Sequence, residues 1–394
     1  MSERVPHVPL IVWQIVLALA AAAIGGVAAV LPELRDANGL TNGTVGVIAA
    51  AGFLAAFVGQ GLLAPLADQW QRRPIILIGL IVAVLGLVGM ALGSTGWQLI
   101  LSRLAIGGGT GVVIPTIRAA VALSDPDHVA ENQGKLVVGE MVGFIVGPAA
   151  TAIAADALGV DRAFLMLAGL LAVFLPLVLR VPHTPVESVA VERETRSQVL
   201  KRPALRGVMV MVGGYALGLG AFEAVLPLQL ADEGVSTAGI GLFLTIFVIP
   251  IALSSVLGGR VADRVGPLRV ATIGMLAGSI LAMGIGIMPS IWWIAALLVL
   301  AGVSDGFGFT ASLALASASV AQDRQATALG VVGASEVLFA GLGALPAVWL
   351  FDTQGPGVAW IVMGAAMTVL VAVGAMMCAR ATTAHDSPRL TPAA

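Results

Sequence analysis

Long apolar stretches alternate with short polar segments along the whole chain. Each stretch has roughly 18 to 26 residues, enough for a helix to cross a hydrocarbon core about 30 Å thick. We therefore expect twelve membrane-spanning helices. Their predicted ranges are 10–31, 43–65, 74–93, 97–121, 133–155, 163–180, 207–231, 238–258, 270–288, 291–316, 326–350 and 357–379.

The first stretch has a second interpretation as a secretory signal, because Ala18-Leu19-Ala20 resembles a small-residue cleavage site. The apolar run continues to Leu31, however, and Arg4 is the only lysine or arginine before it. We expect an uncleaved first helix.

The placement of charge predicts the orientation, since short cytoplasmic loops collect lysine and arginine. With both chain ends inside, seventeen of the twenty lysines and arginines fall on the cytoplasmic side, and the outer loops hold only Arg35 and Arg162. The sequence predicts a multi-pass protein of the cell (inner) membrane with both termini cytoplasmic.

One long polar connection divides the chain into six plus six spans. The two parts repeat each other, since Val30-Leu31-Pro32 recurs as Val225-Leu226-Pro227 at an offset of 195. Parallel repeats of this kind place a substrate site at their interface near the bilayer midplane. The expected domains are an N-terminal six-helix bundle 1–180, a solvated cytoplasmic linker 181–206, a C-terminal six-helix bundle 207–380 and a cytoplasmic tail 381–394.

Composition excludes a water-soluble fold: 58% of the residues are hydrophobic, 11% are charged, and the mean hydropathy is +1.01. The sole cysteine, Cys378, excludes an intramolecular disulfide and a cysteine-ligated metal cluster. A net charge of -2 argues against nucleic acid as a partner. We expect an all-α membrane protein.

The segment between the eighth and ninth predicted helices carries a recognisable motif. Its run from Gly259 through Asp263 and Arg264 to Gly266 fits GxxxDRxG, the cytoplasmic signature of the major facilitator superfamily of secondary transporters. The chain resembles this family over essentially its whole length. The resemblance implies twelve transmembrane helices in two pseudo-symmetric six-helix bundles, the major facilitator fold.

A first-half copy of the motif keeps Asp68, Arg72 and Arg73. It departs from the family's pattern at Ala64, Gln69 and Gln71. A carboxylate at a helix end that faces arginines in the next loop can latch two half-bundles together and favour one of two rocking states. The alternative is that these arginines only follow the rule that cytoplasmic loops are basic.

The fourth predicted helix resembles the family signature LxxxRxxxGxG at Leu99, Arg103, Gly107 and Gly109. A buried arginine in a membrane helix costs about 2.5–3.5 kcal/mol on insertion scales. We expect Arg103 to face the transport cavity, with snorkelling to the nearby outer surface as the alternative.

The fifth predicted helix resembles the signature of the drug:proton antiporter branch, with Gly134, Gly143, Gly147 and Pro148 at the motif's spacing. Glycines at a spacing of four permit very close helix contact, and a proline removes one intrahelical hydrogen bond. The resemblance favours export. The aspartate that fourteen-span drug exporters carry in the first helix is replaced here by Ala23.

Carboxylates inside apolar spans are the candidate proton carriers, because desolvation disfavours their charged form. They are Glu140, Glu223, Asp305 and Glu336. The alternative for each is a permanently protonated donor in a helix–helix hydrogen bond. Glu140 and Glu336 occupy equivalent positions in the two repeats, so we expect them to face one another as a coupled pair. The expected substrate cavity comprises Arg103, Phe144, Tyr215 and Phe339.

Energy-coupling and catalytic motifs narrow the function. The phosphate-binding GxxxxGK[ST] and the metalloprotease HExxH are absent from the sequence. We expect no enzyme activity and no cofactor, but a monomeric proton-coupled antiporter that exports a small amphipathic drug or metabolite. Its partners would be that substrate, protons and lipid. A proton-coupled uptake symporter and a membrane sensor on a transporter scaffold remain the alternatives.

Overall fold

The computed structural model describes residues 8–63, 72–124, 128–179, 200–320 and 324–386. All regular secondary structure within these ranges is helical. Helices α1 to α10 span Leu10–Asn38, Asn42–Val58, Arg72–Leu92, Gly96–Ser124, Val129–Leu158, Val160–Ala172, Pro203–Asp232, Thr237–Val265, Pro267–Ile285 and Ile291–Ala318. The segment Gln325–Asp386 leaves helical geometry at Gly355, which divides it into α11 and α12.

Two helices have irregular continuations. A π-helical turn, Gly59–Leu63, continues α2. A single further helical turn, Leu175–Val178, follows α6. Both extensions lengthen a short helix enough to help it cross a bilayer.

Eleven segments of the described residues are long and apolar enough to span a membrane. The last of them, Thr327–Ala381, contains both α11 and α12, because its backbone turns at Gly355 with φ 83°. Counted as two crossings, this segment brings the total into agreement with the twelve predicted spans.

Several helices extend beyond their predicted apolar stretches. The first helix runs on to Asn38, α7 begins at Pro203 within the predicted linker, and α12 reaches Asp386 within the predicted tail. A helix continues past its apolar stretch because each further turn satisfies its own backbone groups. Residues 180–199 of the connection and 387–394 of the tail lie outside the described residues.

The two halves form their first hairpin with the same turn. Gly39 after α1 has φ 60° and Gly234 after α7 has φ 79°, at the offset of 195 that relates the halves. Glycine adopts this left-handed conformation without steric cost. The next helix is then capped by Thr41 or Ser236, each of which accepts the N–H three residues on at 3.2 Å. The repeat therefore includes the backbone conformation.

The helices α1 and α7 lie at the centre of the bundle. Their most apolar windows are 72% and 78% buried, against 28% for α6 at the periphery. Within the halves, α1 packs on α5, and α7 packs on the α11–α12 segment. The main contacts between the halves are those of α2 with the α11–α12 segment and those of α5 with α8. We call the end at which α1 begins and α12 ends the terminal end, and the opposite end the distal end.

Candidate transport site

An arginine and a glutamate from opposite halves meet inside the protein. Nη2 of Arg103 on α4 lies 3.4 Å from Oε2 of Glu223 on α7, with side chains 2% and 11% exposed. At 1.5 Å per residue, the two lie roughly 10 and 14 Å from the distal ends of their helices. We call them the central ion pair. The pair places opposite charges deep in the bundle, where the halves meet.

A glycine on α2 leaves the space that Arg103 fills. A Cβ at Gly52 would overlap Nε of Arg103 and lie 2.9 Å from its Cζ. That Nε is buried without a hydrogen-bond partner among the described residues, while Nη1 donates to the backbone oxygen of Ile24 at 2.9 Å. A buried donor without a partner costs about 1–3 kcal/mol. The Nε–H group would therefore gain from a hydrogen bond to water or to a polar group of a ligand.

A second ion pair lies within the first half. Both carboxylate oxygens of Glu140 on α5 accept from Arg118 on α4, at 3.1 Å from Nε and 2.7 Å from Nη2. This corrects the expectation that Glu140 pairs with Glu336, because its oxygens are already engaged by a bidentate guanidinium.

The equivalent acid of the second half lacks such a cation. The offset of 195 that relates α4 to α10 brings Leu313 to the position of Arg118. Glu336 has no hydrogen-bond or ion-pair partner among the described residues, and it interacts electrostatically with Tyr215. The two repeat-related glutamates therefore have different surroundings. Glu140 is paired with an arginine, whereas Glu336 has no cationic partner among the described residues.

Asp305 of α10 is buried in the second half and, like Glu336, has no cationic partner among the described residues. It is 6% exposed, and its Oδ1 has no hydrogen-bond partner among the described residues. Tyr215 interacts electrostatically with it, as with Glu336, and the Tyr215 ring lies 5.5 Å from that of Phe309. The predicted residues Tyr215, Asp305 and Glu336 thus belong to one neighbourhood.

A small cavity adjoins Asp305. It has a volume of about 30 Å³ and is lined by residues of α7, α8, α9, α10 and α12. Aromatic and apolar side chains dominate its lining, among them Phe222, Phe247, Trp360 and Met367. We call it the C-terminal cavity. It has room for a water molecule or two, and it is too small for a drug-sized ligand.

The two predicted cavity phenylalanines are half-buried beside glycines. Phe339 of α11 packs against α7, where a Cβ at Gly213 would lie 2.9 Å from its ring. Phe144 of α5 lies near α1, its Cδ1 3.8 Å from the position of a Cβ at Gly25. Phe144 therefore packs at a helix contact within the first half, whereas Phe339 also joins a cluster with Phe53 of α2, from the other half.

The glycine face of α5 rests directly on α1. A Cβ at Gly143 would overlap the carbonyl oxygen of Ala18, and one at Gly147 would lie 2.5 Å from Cα of Ala22. Pro148, one residue further on, packs against Gly25 of α1. The predicted spacing thus corresponds to a close backbone contact between α1 and α5.

The terminal-end motifs are partly described. Asp68 lies outside the described residues, and Arg72 and Arg73 begin α3. Asp263 and Arg264 are exposed in the last turn of α8, and Asp263 has no ion pair with any described residue.

The glycines of the second motif copy lie at the same end. Gly259 lies in α8, and Gly266 ends that helix with φ 96°. The left-handed φ of Gly266 permits the tight turn into α9, where glycine is favoured over other residues.

Polar contacts join the two halves at the distal end. Arg35 lies 3.5 Å from Asp232, and Asn42 donates to Asp352 at 2.6 Å. Two further bonds have lengths of 2.9 and 3.1 Å. We call these residues the distal belt: Glu33, Arg35, Asn42, Asp156, Asp232, Thr237, Ala238 and Asp352.

Sequence reasoning did not identify the role of Arg118 or the distal belt. Charge counting places Arg118 on the cytoplasmic side, whereas the structure places it within α4, bonded to Glu140. The available signal was an arginine and a glutamate on consecutive antiparallel helices. Among the described residues, no group of three His, Cys, Asp or Glu side chains is arranged to hold a metal ion.

Comparison with protein families gives two overlapping matches. The family description "Major Facilitator Superfamily" fits residues 15–229 and, separately, residues 208–394. The second match begins shortly after the start of α7, so each half resembles the family.

Curated relatives carry names of drug-efflux proteins. The chain is 25% identical over 290 residues to the "Multi-drug resistance efflux pump PmrA homolog" of Lactococcus lactis subsp. lactis, which covers 70% of this chain and 71% of that protein. It is 26% identical over 276 residues to the "Multidrug resistance protein MdtG" of Salmonella typhi, covering 66% and 67%.

A solved structure shows the same fold. A bacterial homologue of the human lysosomal transporter Spinster, in an inward-facing and occupied conformation, superposes with a TM-score of 0.79 at 15% identity and covers 98% of both chains. The relatives and the fold are those of membrane transporters rather than enzymes.

Proposed function

Because the chain belongs to the major facilitator superfamily, we propose that it is a proton-coupled exporter that moves a small amphipathic drug or metabolite by alternating access. The observation that carries this proposal is the similarity, over 70% of this chain, to a protein named as a multi-drug efflux pump. The glycine face of α5 against α1 supports it, since this motif resembles the antiporter signature.

Two rocking halves are the moving parts of the proposal: bundles 1–180 and 207–380, joined by the linker 181–206. Independent family matches to the two parts and the repeated turns at Gly39 and Gly234 support the division. The distal belt joins the halves, which favours a state closed at that end. Rocking would break these contacts and, in this proposal, form others through the motifs at the terminal end.

The substrate is proposed to bind where the halves meet, next to the central ion pair. Arg103 and Glu223 come from different halves, so a ligand between them is reached from each side in turn. The 3.4 Å separation is long for a charge-assisted bond, and the unsatisfied Nε of Arg103 offers a further donor. A ligand with both polar and apolar parts suits this arrangement.

Proton movement supplies enough energy for such export. One proton that moves down about 100 mV releases about 2.3 kcal/mol, enough for roughly a fifty-fold gradient of a neutral solute exchanged one for one. The candidate carriers remain Glu140, Glu223, Asp305 and Glu336. Their surroundings favour the second half, because Glu140 and Glu223 have arginine partners, whereas Asp305 and Glu336 have none among the described residues.

Orientation follows from charge. The excess of lysine and arginine at the terminal end supports cytoplasmic termini, and the bacterial relatives support a cell (inner) membrane location. The terminal end would then face the cytoplasm, and export would proceed towards the distal end.

The experiment uses everted membrane vesicles from cells that overproduce the chain, loaded with acid and a lumenal pH dye. Ethidium, an amphipathic fluorescent cation, is added first, followed by a panel of neutral and zwitterionic compounds. Export by antiport predicts that a transported compound releases lumenal protons, and that vesicles with Arg103→Gln do not respond. Compound-dependent proton movement in the opposite sense would identify an uptake symporter, and binding without flux would identify a sensor.

A further inference from the structure

We propose that the C-terminal cavity is the site where the transported proton is held, on the carboxyl group of Asp305, inside the second half rather than at its interface with the first. This inference rests on the proposed function and names the site of its coupling ion. The proton would be accompanied by a water molecule in the cavity.

The size of the cavity selects its occupant. A volume of about 30 Å³ exceeds the roughly 10–15 Å³ that a water molecule requires and is far below the roughly 300 Å³ of a small-molecule pocket. Asp305 lines this space, and a Cβ at Gly278 of α9 would overlap its Oδ1. Gly278 thus leaves room for the carboxyl group, and the unsatisfied Oδ1 supplies a hydrogen-bonding group for water.

The surroundings favour a neutral acid. Burial of an ionised carboxylate without a cation is far more costly than burial of the neutral acid. Asp305 is the only charged residue of α10. The titratable neighbour on α7 is Tyr215, which lines the same cavity and interacts electrostatically with Glu336 of α11 as well. The other charged residues of the packed helices lie near helix ends or, for Glu223, in the central ion pair: Arg206, Glu223, Asp232, Arg260, Asp263, Arg264, Arg269, Asp352, Arg380 and Asp386.

The described part of the first half differs at the equivalent position. At the offset of 195, the position of Asp305 is taken by Thr110, whose hydroxyl donates to the backbone oxygen of Ile106 at 2.7 Å. The first-half acid Glu140 is engaged by Arg118. To protonate Glu140 a bidentate ion pair would have to be broken, whereas protonation of Asp305 breaks no contact with a described residue.

Tyr215 lines the same cavity as Asp305. It interacts electrostatically with both Asp305 and Glu336, and Glu336 is the more exposed of the two acids. When the second half rearranges, the Asp305 carboxyl group releases its proton to water and becomes a carboxylate. Uptake is the reverse of this step, so no other reactant is required.

Infrared difference spectroscopy tests the site without a substrate. Purified protein at neutral pH should show the carbonyl stretch of a protonated carboxylic acid, and this band should lose the contribution of one carboxyl group in Asp305→Asn. Ser312→Ala is the matched control, since among the described residues this buried serine of α10 bonds within its own helix alone, to the backbone oxygen of Phe309 at 2.7 Å. Absence of the band from the unaltered protein, or its full retention in Asp305→Asn, would overturn the proposal.

Transport in proteoliposomes tests whether that proton is the coupled one. Exchange of the monovalent cation ethidium for one proton is electroneutral, so a pH gradient of about one unit drives up to about a ten-fold ethidium gradient. We expect Asp305→Asn to lose this gradient, while ethidium-for-ethidium exchange stays within about two-fold of the unaltered protein. Ser312→Ala should keep both activities.

A second variant covers the case in which asparagine disturbs folding. Asp305→Thr introduces the residue that the first half carries at the equivalent position, where the hydroxyl bonds within its own helix. It should show the same loss of coupling. Coupled transport in either variant would refute the Asp305 assignment and leave the proposed function intact, whereas lack of pH-driven transport by the unaltered protein would refute the proposed function itself.

Discussion

Replacement of Gly143 by alanine tests whether the glycine face of α5 holds the first half together. The added Cβ would overlap the carbonyl oxygen of Ala18 and lie 2.8 Å from both the carbonyl carbon of that residue and Cβ of Ala21. These atoms belong to the α1 backbone or to a methyl group fixed to it. No side-chain rotation can therefore relieve the overlap.

The magnitude follows from these distances. Non-bonded carbons pack at about 3.5–4.0 Å, so α1 and α5 would have to separate by at least about 0.7 Å. Overpacking of this kind costs about 1–3 kcal/mol. Alanine also gains about 1 kcal/mol of helix propensity over glycine, which partly offsets the loss.

Gly134→Ala is the matched control. It lies on the same helix, and a Cβ there would meet nothing within 4 Å. The control includes the same propensity gain, so the difference between the two variants isolates the steric cost. Thermal loss of the helical circular dichroism signal in detergent measures it. We expect Gly143→Ala to unfold several degrees below Gly134→Ala, and coincident unfolding curves would refute the proposed close contact.

Three further predictions concern the other contacts. Gly52→Ala should displace Arg103, disrupt the central ion pair and slow pH-driven transport. Gly108→Ala is the control and should not, since its Cβ would meet only a methyl carbon at 3.9 Å; equal transport rates in the two variants would contradict a role of the central ion pair in transport. Asn42→Ala removes its bond to Asp352 across the halves and the bond that Arg35 donates to Asn42 within the first half. A cysteine at Ile240, now 2% exposed, should therefore react faster with a membrane-impermeant thiol reagent; unchanged labelling would show that the belt does not hold this end closed. Asp263→Asn should lower turnover more than apparent substrate affinity and leave thermal stability unchanged, because Asp263 has no ion pair with a described residue in this state; an unaltered turnover would remove the latch assignment.

The helices of this fold could be predicted from the sequence because a long apolar stretch has few alternatives to a membrane helix. Their ends could not, since polar turns such as those that extend α1 to Asn38 have no apolar signal. The break at Gly355 was predicted as a gap between two spans, and its φ of 83° explains why glycine occurs there.

The partners of the buried charges were beyond the sequence pattern. Membrane helices are apolar on most faces, so the pattern does not show which face of α5 bears Glu140 or that this face meets Arg118. The distal belt joins residues separated by 197 and 310 positions, which only the tertiary structure brings together. The offset of 195 did contain one usable signal, because it shows that Arg118 is replaced by Leu313 in the second half.

Uphill movement of ethidium by the purified chain in sealed liposomes tests proton-coupled export most directly. The pH gradient is about one unit, and the acidic side is the side to which the chain exports ethidium. The account predicts that ethidium accumulates on that side, against its concentration gradient, up to about ten-fold. This accumulation should vanish when an ionophore collapses the pH gradient. Downhill movement alone, or accumulation that persists without the gradient, would contradict it.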